Sequence, residues 1–378
     1  MAMPAAAAEI GPRRVAVVCP PGAPLQHLRD MLVGDVITRS HRVLVVAPEF
    51  SHADVRALDQ LGAEHAVYMP DGNGLKLFAD WKAIGSLKQV LTDWSPSIVV
   101  AYGSKTMVYG ALAAKAAGAE RIVLVVDALP EQRFTGALGA DEMPAWRYGQ
   151  ALRAADEAVF HNRDDLALLK KLALVPDTLA VTVVPGAGVD IEGQLPLPLP
   201  ALGQGLVFLM IASCDMRRGV MEYCEAATLL RRRAPTSRFL FVGLPAEGSG
   251  AIAAAELGQH PDVEYLGDAA DHPDALAQCH VFVYPSRADG MPQPVLQAMA
   301  AGRPILTTNI AGCRDTVDER VNGCLVAPRD AEALAEAMES YLKRPDLIPV
   351  MARASRAKAE RFGTANSVKR TMMELLRL

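Results

Sequence analysis

Short apolar runs that stop at glycine, proline or a polar residue recur along almost the whole of this 378-residue chain, each followed by a stretch with helical spacing. Residues 15–19 run into Pro20-Pro21-Gly22, and further runs cover 41–47, 65–68, 97–102 and 121–126. Between them, 25–36, 75–94 and 107–117 repeat apolar residues at helical intervals. Strands that are apolar at nearly every position must be buried on both faces, which requires a helix layer on each side of a parallel sheet. Residues 157–161 and 181–185 read as the last strands of this first unit. Residues 193–205 then alternate proline with leucine without a charge, the signature of an extended, semi-rigid connector. Beyond it the alternation restarts with strands at 206–212, 238–243, 263–267 and 281–285, and helices at 220–232, around Ala251 and near Ala275. The expected organisation is a loose tail over 1–12, an α/β unit over 13–192, a connector over 193–205, a second α/β unit over 206–362 and a terminal segment over 363–378.

Composition narrows the function classes. A formal charge of −5 does not suit a nucleic-acid binder. Six cysteines without CxxC spacing indicate neither a zinc site nor a disulfide framework, and fit buried thiols in a reducing compartment. No apolar run approaches the ~18 residues of a membrane span. The Ala-rich start lacks the pattern of a signal peptide, so the expected location is the cytoplasm. No Gly-x-Gly-x-x-Gly follows the first strand, which disfavours a dinucleotide-dependent dehydrogenase.

The most informative stretch starts at Tyr284-Pro285-Ser286-Arg287-Ala288-Asp289-Gly290-Met291-Pro292-Gln293-Pro294 and continues through Val295-Leu296-Gln297-Ala298-Met299-Ala300-Ala301-Gly302. It reads as a strand end, a Gly/Pro loop and a helix start, where prolines are tolerated because their missing N–H has no intrahelical partner. Val295, Leu296, Met299 and Ala300 share one helical face. A helix start of this kind favours an anion in the loop before it. The wording resembles the donor-binding loop of the retaining GT-B glycosyltransferases of family 4 (glycosyl transferases group 1), which include bacterial polysaccharide and lipid-linked glycan enzymes. That family shows Glu-Gly-x-Pro and then Glu-Ala-Met-Ala-x-Gly, and here the two Glu positions hold Asp289 and Gln297. Ile310-Ala311-Gly312-Cys313-Arg314-Asp315 and Val321-Asn322-Gly323-Cys324-Leu325-Val326 continue the likeness, which is strong over about 205–375 and weaker over 13–190.

The resemblance implies an α/β GT-B fold, two Rossmann-like doubly wound domains facing a cleft, with the final helix crossing back onto the first domain. It implies donor contacts at Ser213, Arg218, Gly243, Leu266, Asp289, Gly290, Met291, Pro292, Gln293, Val295 and Gln297. Arg218 stands where the family has the phosphate-binding Lys, and Ser213 where it has an Arg. Asp289 would meet the transferred sugar's hydroxyls, although Asp reaches about 1.5 Å less far than Glu. Gln297 would hold the ribose without a charge. Tyr102-Gly103-Ser104-Lys105-Thr106-Met107-Val108-Tyr109-Gly110 is similar to the family's Lys-Pro-x-x-Tyr-Gly segment. Lys105 joins Asp289 and Arg218 as an expected catalytic residue, and Gly22, Lys105, Asp127 and His161 are expected on the acceptor side. No Asp-x-Asp pair is present, so no metal and no other cofactor is expected.

The implied activity is retaining transfer of a hexose from a nucleotide diphosphate sugar, UDP ahead of GDP, to a glycan or lipid-linked saccharide. The departing phosphate would accept the acceptor's proton. Peripheral contact with the inner membrane face would follow from such an acceptor, and the amphipathic stretch 163–174 could supply it, although a helix packed on its own domain reads identically. The departures at Ser213, Asp289 and Gln297 leave open a protein that binds a sugar nucleotide or a partner without turnover. A sugar-nucleotide 2-epimerase or phosphorylase on the same fold is a further alternative.

Overall fold

The computed structural model describes residues 11–20, 32–69, 76–129, 143–203, 205–243, 246, 250–267 and 274–378. Expectations for residues 1–10 of the tail, Gly22 and most of the 25–36 helix fall outside these residues. The chain forms two compact units, one of residues 1–160, 165–183 and 368–378, the other of 161–164 and 184–367. Each is a Rossmann-like domain built on a parallel sheet.

Unit 1 contains a seven-stranded sheet in the order β3-β2-β1-β4-β5-β6-β7. Its strands are β1 (Arg14–Val18), β2 (Arg42–Ala47), β3 (Glu64–Val67), β4 (Ile98–Tyr102), β5 (Arg121–Val126), β6 (Glu157–Phe160) and β7 (Ala180–Val183). The valine-rich centre is buried on both faces, while the edge strands β3 and β7 carry the more exposed residues. The end of the chain closes this unit: Arg121 Nε donates to the Leu375 carbonyl at 2.8 Å, and Arg39 to that of Leu378 at 2.8 Å. The amphipathic stretch of the sequence forms the helix Arg163–Lys171, whose Leu169 is fully buried in the unit 1 core with Leu166 packed against it. Its apolar stripe is therefore used inside the protein, and the membrane-facing alternative does not hold for it.

Unit 2 carries a six-stranded sheet in the order β10-β9-β8-β11-β12-β13. Its strands are β8 (Val207–Ile211), β9 (Arg238–Val242), β10 (Val263–Tyr265), β11 (Val281–Tyr284), β12 (Ile305–Thr308) and β13 (Gly323–Val326). Phe208 and Phe239, both fully buried, stack at 5.6 Å between centroids on adjacent strands, and burying each ring contributes about 2–3 kcal/mol. Around Ala251 the sequence suggested a helix; Ala251 instead bridges to Asp215, and the helix is the short Ala254–Leu257. The buried thiols are held protonated, with burial pushing Cys19, Cys224 and Cys279 up to about 12.

The proline-rich stretch differs from its sequence reading. It falls within unit 2, and its extended backbone is tied down there. Extended proline-rich backbone has no internal hydrogen bonds, so its carbonyls need outside donors. Two arginines supply them. Arg303, with no exposed surface, donates to the carbonyls of Leu197 (3.1 Å), Pro198 (2.9 Å) and Leu276 (2.7 Å). Arg356 donates to those of Gln194 (2.6 Å), Ala300 (2.7 Å) and Ile191 (3.0 Å). Arg356 stands on the helix Ile348–Phe362, so that helix contributes one of the two pins.

Candidate functional site

In unit 2 the strand order reverses between β8 and β11, which lie side by side. Loops leaving the carboxyl ends of two such neighbours diverge, and ligands of open α/β sheets bind there. The loop after β8 carries Ser213, Asp215, Arg217 and Arg218; the loop after β11 carries Ser286, Arg287, Asp289 and Gly290. Backbone contacts stitch them together. The amide of Arg287 donates to the Arg217 carbonyl at 2.8 Å, as does the Ser286 hydroxyl at 3.3 Å. Gly219, at φ +76°, has no room for a side chain, because a Cβ would collide with the Pro285 carbonyl. Gly312, at φ +75° after β12, is pressed in the same way against the Gly290 carbonyl.

This scaffold brings Arg218 and Asp289 into an ion pair through Nη1 and Oδ2. The same Arg218 nitrogen lies 3.5 Å from the Ala288 carbonyl. Asp289 Oδ2 also accepts from the Tyr284 hydroxyl at 2.7 Å, while Oδ1 accepts the Gly290 amide at 3.0 Å. The Asp289 charge raises the Arg218 pKa against the opposing effect of burial, so the cation is permanent. Tyr284 is buried, and burial followed by the Asp289 charge holds its phenol far above the ordinary range, so it stays a donor.

The neighbouring arginines are committed elsewhere. Arg217 grips both oxygens of buried Asp215, with Nε at 3.0 Å from each and Nη2 at 2.5 Å from Oδ2. Burial alone would raise the Asp215 pKa, but the hydrogen bonds and charge of Arg217 hold it below the usual carboxylate range. Arg287 Nε bonds Glu222 Oε1 at 2.5 Å in the first turn of the helix Val220–Arg231. Arg218 has no carboxylate partner but Asp289 among the described residues.

The helix start after the loop offers less than its sequence promised. In the helix Gln293–Ala300 the amides of Val295 and Leu296 both return to the Pro292 carbonyl, at 3.0 and 3.2 Å, and Pro294 has none. The Gly290 amide is taken by Asp289 and its carbonyl by buried Asn162, at 3.0 Å. Val295, expected among the donor contacts, is a core residue with no exposed surface: the helical face that identified it as apolar is the face that packs inward. Gln293 Nε2 is used by the Gly188 carbonyl at 2.9 Å, and Met291 packs against Gly186. Gly243 has its amide on the Gly267 carbonyl (2.7 Å) and its own carbonyl on the Tyr265 hydroxyl (3.1 Å), which leaves half-buried Leu266 between two anchored neighbours. Ser213 and Gln297 are exposed at the ends of the site's first loop and first helical turns.

Lys105 and Asp127 follow β4 and β5 of unit 1, half-buried at the carboxyl edge of that sheet; the Asp127 carboxylate caps the Ala128 amide at 2.8 Å. His161 follows β6, and burial pushes its imidazole down to about 4, so the ring is neutral near pH 7. Among the described residues no three His, Cys, Asp or Glu side chains converge as ligands of a metal ion. Sequence reasoning missed Tyr284, Asn162 and the Glu222–Arg287 pair. The only advance signal was a tyrosine closing an apolar strand just ahead of a loop acid.

Comparison with known proteins covers both units. The family described as "Glycosyl transferases group 1" matches residues 205–344, and "Glycosyl transferase 4-like domain" matches 12–186. The N,N'-diacetylbacillosaminyl-diphospho-undecaprenol alpha-1,3-N-acetylgalactosaminyltransferase of Campylobacter jejuni is 25% identical over 345 residues, 87% of this chain and 89% of the relative. The UDP-Gal:alpha-D-GlcNAc-diphosphoundecaprenol alpha-1,3-galactosyltransferase of Escherichia coli is 26% identical over 283 residues, 70% and 71% of the two chains. Among solved structures, Anabaena Alr3699/HepE in complex with UDP superposes with a TM-score of 0.74 at 17% identity, covering 96% of this chain and 99% of that one. At that identity the superposition speaks to the fold.

Proposed function

Because this chain belongs to the GT-B glycosyltransferases of family 4, matched in both of its domains, we propose that it transfers a hexose from a UDP-sugar to a lipid-linked saccharide. The observation that carries this reading is the meeting of a permanent cation, Arg218, with a carboxylate, Asp289, at the strand-order reversal of unit 2. The cation suits the diphosphate and the carboxylate suits sugar hydroxyls. UDP is preferred to GDP because a structural neighbour holds UDP and a relative is named for UDP-Gal. A lipid-linked acceptor is preferred because two relatives are named for acceptors on diphospho-undecaprenol. Such an acceptor would bring the enzyme to a bilayer surface peripherally; among the described residues no helix is long and apolar enough to cross a membrane.

In the proposed reaction the bond from the sugar's anomeric carbon to the diphosphate breaks as the acceptor oxygen bonds to that carbon on the same face. The acceptor's proton passes to the departing diphosphate oxygen, so configuration is retained without a protein nucleophile. Arg218 neutralises charge as it develops on the leaving group, in place of a metal ion. Asp289 holds the sugar in line.

The test is release of UDP from UDP-galactose, UDP-glucose and UDP-N-acetylgalactosamine with a diphospho-undecaprenol monosaccharide, in the presence and absence of EDTA. Acceptor-dependent release with an α-linked product, undiminished by EDTA, is expected. Binding of UDP in a thermal-shift assay without release would favour a non-catalytic sugar-nucleotide binder. No shift with any nucleotide would remove both readings. Gln297→Glu is expected to tighten UDP about fivefold in calorimetry, since a charged acceptor improves a hydroxyl contact by about 1 kcal/mol. Unchanged affinity would place Gln297 outside the site.

A further inference from the structure

Asp289 is held at three points, and one of them is unlike the others. Gly290 is its immediate chain neighbour, and Arg218 is the cation that a diphosphate would contest. Tyr284 is neither: it is the last residue of β11, 2% exposed, and among the described residues its hydroxyl bonds only Asp289 Oδ2, at 2.7 Å. Its ring lies in the unit 2 core and its carbonyl is fixed by the Thr307 hydroxyl at 2.6 Å, so the phenol is anchored to the sheet and not to the mobile end of a side chain. An Asp in this loop could swing its short side chain towards solvent; the phenol and Arg218 together keep Oδ2 inward. Among the described residues Oδ1 accepts only the Gly290 amide, and so retains the carboxylate's capacity to accept a further bond.

We propose that Tyr284 is a positioning residue for the donor: it fixes Asp289 so that Oδ1 meets a hydroxyl of the transferred sugar while Arg218 engages the diphosphate. This assignment rests on the sugar-nucleotide reading above. It makes the sugar's contribution to binding, and not the nucleotide's, depend on the phenol oxygen. It also explains how an Asp can serve here: the sheet-anchored phenol holds the short side chain in one orientation.

The experiment measures Kd for UDP and for whichever of UDP-galactose, UDP-glucose or UDP-N-acetylgalactosamine binds tightest to the wild type, in Tyr284→Phe, Asp289→Asn and the double variant. Tyr284→Phe keeps the ring and its packing. The ratio of the UDP Kd to the UDP-sugar Kd is expected to fall about tenfold, the loss of one charge-assisted hydrogen bond, with UDP affinity within about twofold. The double variant is expected to lose no more of that ratio than Asp289→Asn alone, because the phenol acts only through the carboxylate. Equal weakening of UDP and UDP-sugar, additive losses in the double variant, or an unchanged ratio would each overturn the assignment while leaving the transferase reading intact. A wild type that binds neither ligand would overturn both.

Discussion

Arg218→Ala is expected to weaken UDP binding about a hundredfold and to reduce transfer at least as much. Two charge-assisted hydrogen bonds to phosphate oxygens are worth about 1.5–3 kcal/mol each before partial compensation by water, and roughly 2.7 kcal/mol is a hundredfold. Neither neighbouring arginine is free to replace it. Arg217 is held on both oxygens of Asp215, and Arg287 is held by Glu222, a residue only 5% exposed. Pulling either away would strand a buried acid, which costs more than a surface phosphate contact returns. Removing Arg218 also leaves the Asp289 charge uncompensated where a dianion must bind. Arg218→Lys should recover part of the affinity and remain about tenfold below wild type, because an ammonium cannot hold Asp289 and phosphate in one fixed plane. Arg217→Ala should stay within about threefold for UDP. Calorimetric titration decides it, with thermal melts as a control for folding. The Arg218 side chain keeps 35% exposure, so its loss should cost the fold about 1–2 kcal/mol and not the 3–5 kcal/mol of a fully buried pair. Arg218→Ala within twofold of wild type for UDP would remove the cation from the site.

Much of the architecture was legible before any coordinates. Runs such as Val15-Ala16-Val17-Val18 and Val281-Phe282-Val283 are apolar without alternation, which only a sheet covered on both faces accommodates, and both became central strands. The pairing of β8 with β11 was not legible, yet the sequence had still singled out the two loops that this pairing joins, because their residues carried a family's wording. What failed to show was where backbone acceptors go. Nothing in Leu-Pro-Leu-Pro announces that its carbonyls will be bonded by Arg303 and Arg356, since an acceptor leaves no mark in composition and the donors lie more than a hundred residues away. Glycines and amides misled for the same reason. Gly243 and Gly290 could be read as open backbone, but Tyr265, Gly267, Asn162 and Asp289 occupy them. Val295 was a different kind of miss. Its spacing with Leu296, Met299 and Ala300 already predicted a core face, and a donor contact for it contradicted that pattern.

Asp289→Asn is expected to move two measurements in opposite directions: UDP should bind about three- to tenfold tighter, while transfer should fall about a hundredfold or more. The first effect follows from the ion pair. A carboxylate on Arg218 Nη1 partly neutralises the charge that the diphosphate would meet, and the neutral, nearly isosteric amide lifts that competition. Tyr284 can still donate to the amide oxygen, so the loop keeps its anchor and the fold should change little. The second effect follows from the same substitution acting on the sugar. An amide oxygen is a weaker acceptor than a carboxylate, and the amide nitrogen would face the Gly290 N–H or the Arg218 guanidinium, both donors, whichever way it turns. Losing an aligned acceptor costs about 2.7–4 kcal/mol of transition-state stabilisation, as removal of comparable preorganised groups does elsewhere. A residue that merely tied the loop together would behave otherwise, because a loosened loop weakens nucleotide and transition state together. Calorimetric Kd for UDP alongside kcat for acceptor-dependent release separates the two cases, and a parallel fall in both would mean that Asp289 shapes the loop without touching the sugar.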